Sequence, residues 1–235
     1  PDYSSAASDV YKRQDMSKET QKDLVITEDI QYFMNRRTLN IDIGFRCPLE
    51  CPRCQRQRQW RNNGLKVPGR DLTLEEIDKI SDFYNDFHFC GQLSDPVHHP
   101  KFPQILEMLY KKNVRCEIHN AASQKSKEYY IKCFKANPDA HWVFGIDGLP
   151  EESHMYRINQ DGEKLFNIMI ESKKYLKQKP IWQYIVFSYN ENHVEQAKKL
   201  AKENDIPFMR VLSSRWEGDD DPYKPKNKEI ALNAI

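Results

Sequence analysis

Three cysteines, Cys47, Cys51 and Cys54, lie within eight residues with the spacing Cys-x3-Cys-x2-Cys. Three thiolates at this spacing can wrap around one soft metal centre. If the centre is a 4Fe-4S cluster, three thiolates leave one iron open to bind a substrate, which makes the site catalytic. A structural zinc site is the alternative, and it normally has four protein ligands in paired motifs. Its fourth ligand would come from a histidine or from one of the remaining cysteines, Cys90, Cys116 and Cys133.

The overall composition excludes several classes of protein. The 235 residues include 36 basic and 35 acidic side chains, and the net charge of +1 gives no global attraction to nucleic acid or anionic lipid. With 30% charged residues and no apolar run of about 18 residues, the chain is not expected to cross a membrane. It shows no secretory signal peptide, so we expect a cytoplasmic protein whose six cysteines serve metal or redox chemistry instead of disulfides.

Short β-type runs alternate with longer amphipathic stretches, a pattern typical of βα units around a parallel sheet. Thr73 followed by Glu76 predicts a capping box at the start of the first long helix. The cysteines follow the first strand, at the sheet edge where loops of parallel α/β folds form their sites. The predicted strands cover 39–45, 87–91, 114–119, 141–146, 181–189 and 208–212, and the predicted helices cover 74–84, 102–111, 125–134, 163–176 and 193–203.

Motifs in several of these units resemble those of the radical S-adenosylmethionine superfamily. The cysteine loop after the first strand is similar to the cluster-binding loop of its members. Residues 89–96 resemble the Gly-Gly-Glu-Pro segment that follows the second strand, with Asp95 in place of glutamate. Residues 145–149, with Tyr156 and Arg157 beyond them, resemble the fourth unit of members that modify peptides and proteins.

The resemblance, which continues at residues 185–190 and spans residues 39–216, implies a fold and a chemistry. The fold is α/β, a partial (βα)6 TIM-like barrel with parallel strands. The chemistry is reductive cleavage of S-adenosylmethionine at a 4Fe-4S cluster, which yields a 5′-deoxyadenosyl radical that abstracts hydrogen from a substrate. The protein's task is then to exclude water and to place one substrate C–H bond within reach.

The resemblance also assigns roles to individual residues. The three cysteines of the motif are the expected cluster ligands, on which catalysis depends. We expect the methionine amino group of the cofactor against loop 91–95, its carboxylate against Arg157, and its ribose near Asp147 and Asn190. The expected cofactor-binding residues are therefore Gly91, Ser94, Asp95, Asp147, Arg157 and Asn190.

The implied partners are a reductase such as flavodoxin or ferredoxin and a substrate, for which a peptide or protein is favoured over a nucleoside. Two other hypotheses stay open. A non-catalytic binding module, stabilised by zinc or an iron-sulfur cluster, would use the same cysteines with a fourth protein ligand. A degenerate relative without cofactor binding is suggested by Arg53, where an aromatic residue usually precedes the last cysteine, and by Gly145, where serine is usual.

The chain is expected to divide into four parts. Residues 1–15 are interpreted as a non-native or disordered leader before Met16, and residues 16–38 as an N-terminal extension. Residues 39–216 form the predicted barrel core. Residues 217–235 are interpreted as a polar tail or as the start of a truncated C-terminal region.

Two further groups of side chains are predicted to be structural. The arginines of the basic stretch 53–61 are interpreted as a solvated face. The cysteines outside the motif are expected to pack as small apolar groups, as free cysteines commonly do.

Overall fold

A computed structural model of the chain describes residues 35–213 and 215–227. Backbone contacts divide the chain into two units, residues 1–36 and 37–235. The predicted leader, 1–15, and nearly all of the predicted extension, 16–38, lie outside the described residues. The domain boundaries therefore stay predictions, and the account below concerns the second unit.

Six strands form one parallel sheet in which sequence order and spatial order are the same. Each pair of neighbouring parallel strands requires a crossover connection, and the amphipathic stretches between the strands supply it. The predicted α/β fold with a parallel sheet is confirmed. The strands are β1 Thr38–Asn40, β2 Asp86–Phe89, β3 Arg115–Asn120, β4 His141–Gly145, β5 Ile181–Val186 and β6 Phe208–Leu212.

Five longer helices follow the first five strands, as predicted, and one short helix was not predicted. The short helix, α1, spans Gln55–Gln59 directly after the last cysteine of the motif. The others are α2 Leu74–Ser81, α3 Phe102–Lys111, α4 Lys127–Ala136, α5 Gly162–Ser172 and α6 Val194–Glu203, and short 3-10 helices span Arg61–Asn63, Pro96–His98, Ser153–Met155 and Glu191–His193.

Strands β1 and β5 end several residues before their predicted limits, because side-chain hydrogen bonds to loop backbone interrupt the pairing with the sheet. After β1, Ile41 still donates to the carbonyl of His88, but Asp42 then binds backbone amides of the loop after β2. After β5, the Asn190 side chain accepts from the amide of Phe187 and so closes a turn. Both interruptions are tertiary or loop contacts that strand propensity does not encode.

The core between sheet and helices is aromatic and centred on Trp142 of β4, which is fully buried. Its ring makes edge contacts with Phe134 of α4, at a centroid distance of 4.9 Å, and with Phe102 of α3, at 6.3 Å. Such aromatic pairs contribute beyond the area they bury. Among the described residues, no helix has the length and apolar character needed to cross a membrane.

The predicted capping box of α2 is confirmed. The Thr73 hydroxyl accepts from the amide of Glu76 at 3.2 Å, and the Glu76 carboxylate accepts from the amide of Thr73 at 2.9 Å. We expect Thr73→Ala to lower the free energy of unfolding by about 1 kcal/mol, because the amide of Glu76 loses the hydroxyl that accepts from it. Urea denaturation would measure this loss. Thr73→Ser is the control and should stay within a few tenths of a kcal/mol of the parent; equal losses in both variants would contradict the capping explanation.

Candidate active site

One cavity of about 410 Å³ lies at the carboxyl edge of the sheet, where the strand-to-helix loops meet. Its size is typical of pockets for small molecules and cofactors. The cavity walls include most of the residues that the sequence singles out, namely Cys47, Cys51, Cys54, Gly91, Ser94, Asp95 and Arg157. Asp147 and Asn190 do not line it.

The cysteine loop is held in place by hydrogen bonds at its last cysteine and in its middle. The amide of Cys54 donates to the carbonyl of Cys51 at 3.0 Å, and Cys54 then forms the N-cap of α1. In the middle of the loop, the amide of Glu50 donates to the carbonyl of Ile158, and the Gln57 side chain donates to the carbonyl of Leu49. The three thiols therefore share the cavity because local and long-range contacts both shape this loop.

The thiols of the motif are soft donors in a desolvated setting. Burial raises the pKa of Cys51 to about 11, against an opposing effect of the Arg157 charge. Burial and the nearby Asp95 carboxylate raise the pKa of Cys47 well above its ordinary value. Metal binding would therefore release protons from these thiols.

The donor set fits an iron-sulfur cluster, in which each cysteine ligates a different iron atom. In residues 35–213 and 215–227, no three His, Cys, Asp or Glu side chains are arranged to hold a single metal ion. A cluster does not require the thiolates to converge on one ion. Cys47, Cys51 and Cys54 are thus three thiols on one short loop, facing one cavity, with the chemistry that a cluster requires.

The loop after β2 is shaped by a residue that the sequence analysis did not single out. Asp42 accepts hydrogen bonds from the amides of Gln92, Leu93 and Ser94 and from the Ser94 hydroxyl, at 2.7 to 3.2 Å. Gly91 opens the loop with φ +60°, and a Cβ there would lie 2.4 Å from the carbonyl oxygen of Ser94. Glycine is therefore required at residue 91. The available signal for Asp42 was an acidic residue within the predicted apolar first strand, 39–45.

Asp95 joins this loop to the one after β3. Its carboxylate accepts from the amides of Val97, Ala121 and Ala122 and from the side-chain amide of Asn120, all within 3.2 Å. These donors occupy most of its acceptor capacity. Asp95 thus lines the cavity and also connects the loop after β2 to the loop after β3 by hydrogen bonds. Its contact with the methionine amino group stays a prediction.

Arg157 and Asp147 form a buried ion pair at the base of the cavity. Arg157 Nε lies 2.7 Å from Asp147 Oδ2, and the other Asp147 oxygen accepts from the amide of Ile185. Burial lowers the pKa of Arg157, but the Asp147 and Cys51 charges outweigh this and raise it, so the guanidinium stays cationic. The structure brings Arg157 to the cavity and leaves Asp147 behind it, where it positions the guanidinium.

Gly145, which departs from the family pattern, has a steric explanation in this pair. A Cβ at residue 145 would lie 2.9 Å from Nη2 of Arg157 and 3.2 Å from its Cζ. Any larger side chain would have to displace the guanidinium. Gly145 therefore makes room for Arg157 in this chain.

Asn190 is fully buried, and its side chain is bonded within its own loop. The amide oxygen accepts from the backbone of Phe187 at 2.7 Å, and the amide nitrogen donates to the carbonyl of Ile185 at 3.0 Å. This arrangement makes Asn190 the residue that ends β5. The structure does not bring it to the cavity, so the geometry gives no support to the predicted ribose contact.

The basic stretch after the motif is the predicted solvated face only in part, because Arg58 and Arg61 are exposed but other side chains of the stretch are not. Arg56 and Gln57 are both buried, each with 5% exposure. The Arg56 guanidinium donates to the carbonyls of Phe45 and Leu93. It thereby connects the loop after β1 to the loop after β2. The expectation failed for Arg56 and Gln57 because α1 turns these side chains inward, which the polar composition of the stretch did not reveal.

One of the remaining cysteines is also placed differently from the prediction. Cys116 and Cys133 are buried in the apolar core, as expected. Cys90 instead lines the cavity, with its Sγ 3.5 Å from Oδ1 of Asn40. Strand alternation explains the difference, because the side chain at the end of β2 faces the barrel interior.

Arg53 binds a segment far along the chain, residues 215–227, which we call the strap. Its Nε donates to Oδ2 of Asp221 at 2.7 Å, and its Nη1 lies 3.2 Å from the Glu217 carboxylate. Burial would raise the pKa of Asp221, but hydrogen bonds from Arg53 and two backbone amides lower it to about 2. Arg53, which stands where family members have an aromatic residue, thus anchors the strap to the cluster loop.

The strap also packs against the rim of the cavity. The amide of Ser188 donates to the carbonyl of Tyr223 at 3.0 Å. The Tyr223 ring makes an edge contact with Tyr156, which is stacked on Phe187 at a centroid distance of 3.9 Å. The strap lies within the predicted polar tail for most of its length, and its described residues are folded against the barrel.

We expect Asp221→Asn to loosen the strap. The variant loses the charge that Arg53 binds, and hydrogen bonds to charged groups contribute about 1.5 kcal/mol or more, so trypsin cleavage after Lys226 should become roughly tenfold faster. In the parent chain, the ionised Asp221 carboxylate contributes to the free energy of unfolding above the ordinary aspartate pKa, and this contribution is lost as the pH falls towards 2. Asp221→Asn should remove this pH-dependent contribution.

The control for this prediction is Asp220→Asn, which changes an exposed neighbour by the same atoms. Limited proteolysis followed by mass spectrometry would compare the two variants with the parent chain. Equal cleavage rates in all three proteins would show that the Arg53–Asp221 contact does not hold the strap.

The comparisons with known proteins found relatives among solved structures alone, since no protein-family model and no curated protein matches the chain. AnSMEcpe with bound AdoMet is 16% identical with a TM-score of 0.60, over 79% of this chain and 54% of that one. SuiB of Streptococcus suis bound to S-adenosylmethionine is 12% identical with a TM-score of 0.64, over 84% and 46%. Methylornithine synthase (PylB) is 15% identical with a TM-score of 0.54, over 87% and 61%.

All three matches cover most of this chain, at 12% to 16% identity. This chain spans about half the length of the first two. At this level of identity the likeness concerns the fold. The predicted partial (βα)6 barrel is therefore confirmed at that level: the chain shares the fold of anSMEcpe, SuiB and methylornithine synthase.

Proposed function

We propose that the chain is a radical S-adenosylmethionine enzyme that uses a 4Fe-4S cluster to abstract hydrogen from a substrate. The observation that carries the proposal is the shared cavity of Cys47, Cys51 and Cys54 with a cationic Arg157, at the carboxyl edge of the barrel. A structural metal site would not require a largely buried arginine whose guanidinium faces the cavity.

The residues have distinct roles in this proposal. The three cysteines of the motif hold the cluster, which, when bound together with S-adenosylmethionine, supplies the electron that cleaves the cofactor to a hydrogen-abstracting 5′-deoxyadenosyl radical. Arg157, fixed by Asp147, binds the cofactor's carboxylate. Gly91, Ser94 and Asp95 form the adjacent wall, and the barrel interior excludes water from the reacting atoms.

We favour a peptide or protein substrate over a nucleoside. Two structures with the same fold support this choice through their bound molecules: anSMEcpe is described with the Kp18Cys peptide, and SuiB with the precursor peptide SuiA. Their TM-scores to this chain are 0.61 and 0.64. The proposal includes a reductase of the flavodoxin or ferredoxin type as electron donor. A cytoplasmic location stays a prediction.

The proposal is tested by anaerobic reconstitution of the chain with iron and sulfide, followed by reduction with dithionite in the presence of S-adenosylmethionine. We expect bound iron and sulfide, and formation of 5′-deoxyadenosine detected by mass spectrometry. Cys51→Ala should abolish both. Cys90→Ser is the matched control, because Cys90 is a thiol in the same cavity that we do not assign to the cluster.

Two results would overturn the proposal in different ways. Stoichiometric zinc binding without cofactor cleavage would identify a structural site and a binding module. A stable cluster that never yields 5′-deoxyadenosine would identify a degenerate relative that keeps the cluster and has lost the cofactor reaction.

A further inference from the structure

The interior face of the sheet carries an unusual group of polar side chains below the cavity. Barrel interiors are ordinarily filled by branched apolar residues. Here the inward-facing positions of β2, β3 and β4 hold ionisable residues, which we call the interior cluster: Asp86, His88, Arg115, Glu117, His119 and His141. Strand alternation places them on one face, because residues two apart in a strand point the same way.

Glu117 is the centre of the interior cluster. His119 Nε2 lies 2.9 Å from Glu117 Oε1, His141 Nδ1 lies 3.4 Å from Oε2, and His88 Nδ1 lies 3.7 Å from Oε1. Arg115 Nη2 lies 3.4 Å from Oε2. Hydrogen bonds from His119 and His141 hold the pKa of Glu117 well below its usual range, so it is a carboxylate that accepts hydrogen bonds from its neighbours' ring N–H groups.

Among the described members of the interior cluster, His119 is the one that lines the cavity. Its Nε2 faces the Glu117 carboxylate and therefore carries the proton. In the neutral imidazole, Nδ1 is then an acceptor. The carboxylate thus sets the tautomer of His119, in the way that a buried carboxylate orients a catalytic histidine.

Gln183 of β5 lines the same cavity as His119. It pairs in register with Gly145 of β4, and His119 pairs with Val143 of the same strand. Two strand spacings separate β3 from β5, and Gln183 stands two residues further along its strand than His119, so the two Cα atoms are about 12 Å apart. A primary amide supplies both donors and an acceptor. Together, His119 and Gln183 offer an acceptor and a donor to one group placed between them.

We infer that His119 and Gln183 form a subsite for a peptide group of the substrate, with His119 Nδ1 accepting from its N–H and Gln183 donating to its carbonyl. The inference rests on the proposed function, because it gives that site a substrate class. A peptide group is the simplest neutral ligand that presents a donor and an acceptor on opposite edges.

A nucleobase of the substrate fits the region around His119 less well. Proteins bind single bases chiefly by stacking them on aromatic rings. The aromatic residues among the described cavity walls are Tyr156 and Phe187, and these two are stacked on each other at 3.9 Å. Phe187 is stacked on Tyr189 as well, at 5.8 Å with planes 7° apart. The aromatic surface is thus occupied by the protein itself, and the region around His119 is polar.

The test uses the complete chain without cluster or cofactor, so its result does not depend on cofactor cleavage. N-acetylglycine N-methylamide, a neutral compound with two peptide groups, is titrated into the millimolar range against 15N-labelled protein. Long-range 1H–15N spectra report each imidazole nitrogen. We expect the probe to shift the Nδ1 resonance of His119, while its Nε2 resonance stays that of a protonated nitrogen.

Two variants and one control separate recognition from folding. His119→Asn keeps a side-chain oxygen near the position of Nδ1 and should retain most of the binding, whereas His119→Phe should weaken it about fivefold or more. Gln183→Leu, a second variant outside the ionic network, should weaken binding to a similar extent. His154→Phe changes an exposed histidine and should leave binding unchanged.

Three outcomes would overturn the inference: no response of His119 to the amide, a response to cytidine but not to the amide, or equal binding by parent and Gln183→Leu. Failure of the proposed function is a separate result. If no 5′-deoxyadenosine forms but the amide shifts the His119 resonance, the proposed enzymatic function has failed. The subsite for a peptide group is then supported in a protein that does not cleave S-adenosylmethionine.

Discussion

Arg157→Met is expected to lower the free energy of unfolding by about 3–5 kcal/mol, even in protein without cluster or cofactor. The substitution removes the partner of Asp147, which is fully buried and lies 2.7 Å from the guanidinium. A buried carboxylate without a partner must either remain charged in a poor solvent or take up a proton at a cost. Urea denaturation followed by circular dichroism would measure the loss.

A double variant isolates the charge from the packing. Arg157→Met combined with Asp147→Asn removes both charges and keeps the oxygen that accepts from the amide of Ile185. We expect it to recover most of the lost stability, because replacing a buried ion pair by neutral groups is often close to neutral. If the double variant is as unstable as the single one, the loss comes from packing, and the account of Asp147 as the positioning partner is wrong.

Asp95→Asn is expected to destabilise the chain by about 3 kcal/mol. Both carboxylate oxygens of Asp95 accept from donors, and an asparagine would turn an NH₂ group towards one set of them. At least one backbone N–H then loses its acceptor, whichever way the amide is oriented. Amide hydrogen exchange at Val97, Ala121 and Ala122 should accelerate together with the loss of global stability.

The control for this prediction is Asp161→Asn. Asp161 caps α5 by accepting from the amide of Lys164 at 2.9 Å, and asparagine is an equally good N-cap. The control should change the free energy of unfolding by less than about 0.5 kcal/mol. If Asp95→Asn behaves like this control in the absence of cofactor, then Asp95 does not bracket the two loops and is free to contact a ligand.

The βα pattern and the position of the cysteine loop followed from the sequence because both depend on short-range regularities. Strand β6, Phe208–Leu212, has the predicted bounds, and the Thr73 capping box forms as expected. Hydrophobic periodicity and capping act within a few residues. The order of the units along a parallel sheet then brings every loop after a strand to one edge, so the cysteine motif and residues 91–95 could be expected to meet.

The tertiary structure decided the contacts between residues that are distant in the chain. Arg53 binds Asp221, 168 positions away, and no local pattern links an arginine in a basic stretch to an acidic turn. Asp42 and Asn190 likewise act by bonding backbone groups of loops, a role that many aspartates and asparagines could fill. Their use depends on which backbone amides the packed barrel leaves without partners.

The cysteine motif and the βα architecture could thus be recognised from the sequence, since thiol spacing and strand period are properties of neighbouring residues. The tertiary structure alone decided which predicted contacts face the cavity and which lie behind it. Arg157 faces the cavity while Asp147 and Asn190 do not, although all three follow strands of the same sheet. The physical reason is that a buried polar group must find partners, and those partners are supplied by the fold as a whole.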